Sequence, residues 1–277
     1  MLNLRRYLKY LAESVRIVRT FRNFPYVIGM NYLGEIRGRD PLGDCTAVTW
    51  GGTRFNLRGR NLYVGRVVVE DIWTSNIYRI SSEDFVDRRP VFLDIGAHIG
   101  AFSLLVAGKS KEAQVYGFEP DPGNFAVLDN NIEINDLERR VHPFMAAVSS
   151  VGGDARLFLS EKSSTRNSLF RDEFLATRGK AVKVRSTTLE EIFRVNKIKK
   201  CAVLKLDCEG AEFEIILNAP SLILNNIRRI VMEYHDGISS YSHEDLVRFL
   251  KRQGFVVEIF PGVPNFGVLD AKNYAQE

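Results

Sequence analysis

Residues 91–100 read Val91-Phe92-Leu93-Asp94-Ile95-Gly96-Ala97-His98-Ile99-Gly100. The apolar run predicts a buried strand ending near Asp94, and the glycines predict a tight turn into a helix over Ile99 to Gly108. In that arrangement backbone N–H groups and the positive end of the helix dipole face the crevice above the strand. Gly96 and Gly100 lack Cβ, which would let a ligand lie against the backbone. A second run, Val115-Tyr116-Gly117-Phe118, ends in Glu119-Pro120, and Glu119 follows Asp94 by 25 residues. An acid there, in a mononucleotide-binding βαβ unit, chelates the two ribose hydroxyls. Asp94, Gly96, Ala97, His98, Gly100, Glu119 and Pro120 are therefore the candidate cofactor contacts. Nicotinamide dinucleotide and S-adenosylmethionine both present an adenosine ribose. The GxxxG spacing favours S-adenosylmethionine, as does Asp94, which would repel a pyrophosphate but suits the ammonium of a methionine moiety.

A third cluster, Val203-Leu204-Lys205-Leu206-Asp207-Cys208-Glu209-Gly210-Ala211-Glu212, closes another buried strand and opens another helix. Lys205 and Asp207 share one face of that strand, and Leu204 and Leu206 share the other. Charges on an apolar strand are costly unless paired or working, so a salt bridge that organises the strand end competes with a catalytic role. Val231-Met232-Glu233-Tyr234-His235 ends the next strand with a carboxylate and an imidazole. Four strand ends would thus deliver Asp94, Glu119, Asp207 with Glu209, and Glu233 with His235 to one edge of a sheet, where α/β proteins bind ligands.

Beyond Pro90 continuous apolar strands alternate with helices, which implies an α/β fold: a Rossmann-like, mostly parallel sheet covered on both faces over residues 90–277. Residues 34–89 read as a small β-rich appendage with runs at Ala47–Trp50, Leu62–Val69 and Asn76–Ile80. Residues 1–33 hold a basic amphipathic helix and linker, with Leu4, Leu8, Leu11, Val15 and Val18 on one face. Six basic residues against Glu13 give residues 1–22 a charge of +5, more than the +4 of the whole chain. Docking on its own domain, adhesion to anionic lipid and pairing with a partner helix all suit such a helix. Between strands, Ala155–Leu159 and Val182–Val184 suggest hairpin arms around a polar loop or substrate lid, with Arg166 and Asn167 as candidate acceptor contacts.

The 277 residues are 45% apolar and 26% charged, which excludes disordered and fibrous classes. The longest uncharged stretch, Ile95–Gly108, is 14 residues, too short to span a bilayer. Arg5, Arg6 and Lys9 interrupt any signal-peptide core, and three cysteines without CxxC spacing suit a reducing compartment, so a cytoplasmic location is expected. His142 and His243 lie outside the strand-end set. Asn23-Phe24-Pro25-Tyr26 resembles a signature by which amino-methyltransferases grip a base nitrogen, but it follows an arginine-rich helix rather than an apolar strand. No nucleic-acid partner is expected.

Together these motifs resemble the FkbM family of S-adenosylmethionine-dependent methyltransferases. The resemblance rests on Asp94 to Gly100, Phe118-Glu119-Pro120, Leu128 with Asn131 and Asn135, Lys205 to Glu212, and Glu233 with His235. His98 departs from the family's usual asparagine and is expected neutral beside a sulfonium. The resemblance implies a class I methyltransferase fold and O-methylation of a saccharide, glycolipid or small hydroxylated metabolite. Asp207 is then the expected base or acceptor-orienting carboxylate, with Lys205 as its electrostatic partner and Glu209, Glu233 or His235 as alternatives. A divalent metal on Asp207, Glu209 and Glu233 is a rival mechanism. A cofactor-binding protein without chemistry, methylation of a nitrogen, and an NAD-dependent oxidoreductase are the competing functions.

Overall fold

A computed structural model describes residues 11–12, 14–28, 45–57, 62–159, 168–169, 180–262 and 265–276. Two helical stretches, 14–20 and 24–28, precede a hairpin of β1 (Cys45–Val48) and β2 (Arg54–Leu57) and a helix, α1 (Leu62–Trp73). There follow β3 (Val91–Ile95), α2 (Ala101–Lys109), β4 (Gln114–Phe118), α3 (Pro122–Glu133), β5 (Val141–Phe144), β6 (Ala147–Val148), β7 (Gly153–Phe158), β8 (Ala181–Thr187) and α4 (Leu189–Val195). The last third holds β9 (Cys201–Leu206), α5 (Ala211–Leu217), α6 (Ser221–Leu224), β10 (Ile227–His235), α7 (His243–Arg252), β11 (Val256–Pro261) and β12 (Phe266–Lys272).

Seven strands form the central sheet in the order β5-β4-β3-β9-β10-β12-β11, with β12 antiparallel to both neighbours and the other pairs parallel. The chain winds outward from β3 in one direction and from β9 in the other. A crevice must therefore open where their carboxyl ends diverge. Alternation along the strands sends Phe92, Val203 and Val231 into one core with α1, α2 and α3. Leu93, Ile95, Leu204, Leu206 and Met232 go into the other with α4, α5 and α7. This is the mostly parallel sheet, helix-covered on both faces, that the sequence predicts. β7 and β8 pair antiparallel as the expected hairpin arms, beside β6. Arg166 and Asn167 lie outside the described residues.

Two local expectations fail. Leu62–Val69, with its β-branched run, belongs to α1, and Asn76–Ile80 is a turn region with Asn76 and Arg79 at positive φ. Packing overrides strand propensity here: Val69 and Ile72 are buried against the core, and Trp73 Nε1 donates to Ala101 O at 2.9 Å. The N-terminal helix does dock on its own domain, but by the opposite face from the one expected. Ile17, Thr20 and Phe21 are buried, while Leu11, Val15 and Val18 face outward. Glu70 at 3.2 Å, together with Asp71, holds Arg16 and fixes that orientation.

The hairpin is tied on by side-chain amides of α3 and the turn after it. Asn131 accepts from Asn56 N at 2.6 Å and donates to Ile99 O at 2.9 Å. Asn135 brackets the Arg54 backbone, at 2.8 Å to its N and 2.7 Å to its O. Each amide supplies one donor and one acceptor, as a neighbouring strand would. Asn23 does the same for β1, with Thr46 O and Val48 N each at 2.8 Å, which accounts for the Asn-Phe-Pro-Tyr signature. No helix among the described residues is long and apolar enough to cross a membrane.

Gly96 marks the closest approach between β3 and β9. Its φ is +75°, and a Cβ there would sit 1.8 Å from Asp207 O. Gly96→Ala should therefore cost about 2–5 kcal/mol, from left-handed strain plus overpacking, read as a lower urea midpoint. An unchanged midpoint would refute this close approach.

Candidate active site

Asp94, the penultimate residue of β3, has no exposed surface. Its Oδ2 accepts from Ser103 Oγ at 2.6 Å, and its Oδ1 lies 3.1 Å from Lys205 Nζ. Lys205 also donates to Gly96 O at 2.7 Å and to Ile95 O at 3.3 Å. Burial disfavours the lysine's charge, but Asp94 and then Asp207 overcome it and raise the pKa above the usual lysine value. Asp94 is thus turned beneath the turn and neutralised there, not presented to an ammonium in the crevice as the sequence suggested.

The turn's donors differ from expectation too. Gly96 and Ala97 both donate to Phe118 O at 3.0 Å, His98 N donates to Glu119 Oε2 at 2.8 Å, and Gly100 N to Ala97 O at 2.8 Å. The first three knit the end of β3 to that of β4, the fourth closes the turn on itself, and none forms an anion nest. Gly100 answers to packing, since a Cβ would meet Leu128 Cδ1 at 2.6 Å.

Above the turns lies a cleft of about 770 Å³, measured out to its open mouth. Gly96, Ala97, His98, Glu119 and Pro120 line it from one side, and Lys205, Asp207 and Glu209 from β9 and the turn after it. Val68, Ile72, Phe102, Phe118, Val148, Leu157 and Leu169 supply apolar wall. Asp94 and Gly100 are absent from its lining. Glu119 is buried, and its Oε1 accepts from Asp121 N at 2.9 Å. Burial pushes this carboxyl up to about 7, against the backbone hydrogen bonds from Asp121 and His98. Burial likewise lowers His98 to about 4 against the pull of Asp207, so the imidazole is neutral as expected.

Asp207, Glu209, Glu233 and His235 converge, but only the first two line the cleft. Ligand atoms of Asp207, Glu233 and His235 lie within 4.8 Å of one another. Tyr78 Oη sits between the first two, 3.0 Å from Asp207 Oδ2 and 3.2 Å from Glu233 Oε1. One hydroxyl carries one proton. Burial, then the charge of Asp207, raises the Glu233 carboxyl well above its usual range, and the single Tyr78 hydroxyl is shared between the two carboxylates. Burial and the same carboxylates hold Tyr78 well above its usual value. His235 Nδ1 bonds Glu212 Oε1 at 2.7 Å, and Nε2 lies 3.8 Å from Glu209 Oε2. Burial opposes its charge, but Glu212, then Glu209 and Asp207, lift it to about 10.

Residues 94–257 match the model of the FkbM methyltransferase domain, more than half of the chain. The chain belongs to the FkbM methyltransferase family. It is 29% identical over 239 residues to the AMB antimetabolite synthetase AmbE of Pseudomonas aeruginosa, covering 73% of this chain but 11% of that protein. The hexuronic acid methyltransferase AglP of Haloferax volcanii is 24% identical, over 69% of this chain and 76% of its own. The 31-O-demethyl-FK506 methyltransferase FkbM of Streptomyces tacrolimicus is 27% identical, over 62% and 75% respectively.

Within this FkbM domain the Lys205–Glu212 motif divides its labour. Lys205 ties the two strand-end turns together, Asp207 and Glu209 reach the cleft, and Glu212 holds His235 and accepts from Gly210 N at 2.9 Å. Tyr78 lies ahead of the matched segment and 129 residues from Asp207, and no local sequence signal marks it. Ser168, which donates to Glu209 O at 2.6 Å, was equally unmarked. His142 pairs with Gln114 and His243 with Asp236, both away from the cleft lining. Lys205→Met, which leaves Asp94 buried without its cation, should cost about 3–5 kcal/mol in denaturant unfolding. Wild-type stability in that variant would show that the pair is dispensable.

Proposed function

We propose that this FkbM-family methyltransferase uses S-adenosylmethionine to methylate a hydroxyl oxygen of a saccharide or other small hydroxylated molecule. The observation that carries this is one cleft lined by both the Glu119 carboxyl and Asp207. Its donor set fits that cofactor. Glu119 can accept from a ribose diol, and the carboxylate-bearing wall suits a sulfonium cation. The N–H groups of Gly96, Ala97, His98 and Gly100 are all engaged within the protein, which leaves no cradle there for the pyrophosphate of a nicotinamide dinucleotide. Two relatives named above act, by their names, on a hexuronic acid and on a demethylated oxygen, which supports an oxygen acceptor.

When bound, the cofactor supplies a methyl group on positively charged sulfur. The chain holds the acceptor oxygen in line and takes its proton. Positioning can contribute about 7–11 kcal/mol, and a general base about 10²–10⁴-fold, so orientation dominates. Asp207 is the base of choice. It lines the cleft, its side chain is 29% exposed, and Tyr78 orients it from the buried side. Burial and the charge of Asp207 raise Glu233 above the usual carboxylate range, and Glu212, Glu209 and Asp207 favour the charged His235, which then has no lone pair to accept with, so both are assigned as positioning groups. The metal alternative would draw on the same cluster, with Asp207, Glu233 and His235 as donors, and the ion would have to displace the Tyr78 and Lys205 contacts to those carboxylates.

Asp207→Asn should lower kcat about 10²–10⁴-fold and leave S-adenosylhomocysteine affinity by calorimetry within a few-fold. Full activity should survive exhaustive chelation. Loss of cofactor-product binding in Asp207→Asn would make the residue a cofactor ligand instead of the base.

Affinity should also follow the Glu119 carboxylate. With the free group titrating at about 7, the ionised fraction rises with pH, so S-adenosylhomocysteine should bind about tenfold more tightly at pH 8 than at pH 6. Glu119→Gln should flatten that dependence, and a pH-independent wild type would contradict the assignment.

A further inference from the structure

The N-terminal helix carries two apolar faces, and the domain uses one of them. Ile17 and Phe21 are buried in the core, Arg16 is held by Glu70 and Asp71, and Phe21 bridges to Thr49 of the hairpin region. The docked face is thus complete. On the other face Leu11 is 52% exposed, Val15 42% and Val18 38%. Trp50, 58% exposed, stands beside them, its Nε1 donating to Val18 O at 2.9 Å. Three aliphatic side chains and an indole therefore form one outward stripe on a helix whose rotation is fixed.

The charges beside this stripe are of one sign. Arg19 and Arg22 are exposed and have no carboxylate partner among the described residues. In the sequence the three- and four-residue spacing runs back to Leu8 and Leu4, interleaved with Arg5, Arg6 and Lys9.

We propose that this stripe seats the protein on an anionic lipid surface, with aliphatic side chains and Trp50 at the acyl boundary and the arginines at the headgroups. Apolar residues on one side, basic residues flanking them and an indole at the margin are what an interfacial helix requires. The spacing also suits a coiled-coil seam. But the positions that would flank that seam include Arg5 and Arg19 and no acid, so two copies would set like charges side by side. An anionic bilayer complements the same charges.

Sedimentation of the full chain with vesicles tests this. The chain should pellet with phosphatidylcholine vesicles containing about one-third phosphatidylglycerol, and not with phosphatidylcholine alone. Binding should fall about tenfold or more at about 0.5 M salt, where the screening length is a few ångströms. Val15→Asp with Val18→Asp, and separately Arg19→Glu with Arg22→Glu, should each abolish pelleting while keeping the parent's thermal melt. If the first pair fails to fold, the second decides. Three results overturn the proposal: a chain that stays in the supernatant with anionic vesicles at low salt, folded variants of either pair that still pellet, or a dimer in vesicle-free buffer that the Asp variant splits.

Discussion

One buried ammonium holds the catalytic edge of this protein together. Lys205 joins the carboxylate of Asp94 to the carbonyls of Ile95 and Gly96, and so locks the turn after β3 against the end of β9. Gly96 permits that contact, because no side chain fits between it and Asp207 O. Two turns that each need left-handed backbone, at Gly96, His98 and Gly100 in one and at Glu209 and Gly210 in the other, are thereby held in one arrangement. Such backbone persists where surrounding contacts over-determine it. Lys205 is thus a positioning residue first, and its distance to Asp207, 4.0 Å, is longer than that to Asp94.

From this node the charges alternate across the site. Asp94 answers Lys205, Lys205 tempers Asp207, and Tyr78 links Asp207 to Glu233. His235 lies between Glu212 and Glu209. A buried group without its counterpart would neutralise or displace its neighbours, so each carboxylate acquires a distinct state from its place in the chain of contacts. Chemically similar acids end up in different places: Asp94 braces the turn, Glu119 and Asp207 line the cleft, and Glu212 orients an imidazole.

The segments ahead of the matched domain are not ornaments on it. α1 provides Val68 and Ile72 to the cleft wall, and the turn after it provides Tyr78, whose hydroxyl meets Asp207 and Glu233 from the buried side. Asn131 and Asn135 anchor the hairpin to the same βαβ unit that binds the cofactor in our reading. The N-terminal helix packs on that assembly and turns a basic, partly apolar face away from it.

The parallel sheet, the clustering of acids at strand ends and the family were legible in linear sequence, because strand alternation and strand-to-helix turns are local patterns spanning a few residues. What each acid does was not legible. Asp94 looked like a ligand contact until Lys205, its cross-strand partner, proved to hold it under the turn. The run ending at Val69 looked like a strand until burial against α2 made it helix, and the valine stripe of the N-terminal helix looked like the docking face until Ile17 and Phe21 took that place. Tyr78 carried no signal at all. Each of these outcomes depends on which side chain arrives from a distant segment, and burial and pairing energies are properties of that meeting, not of either segment alone.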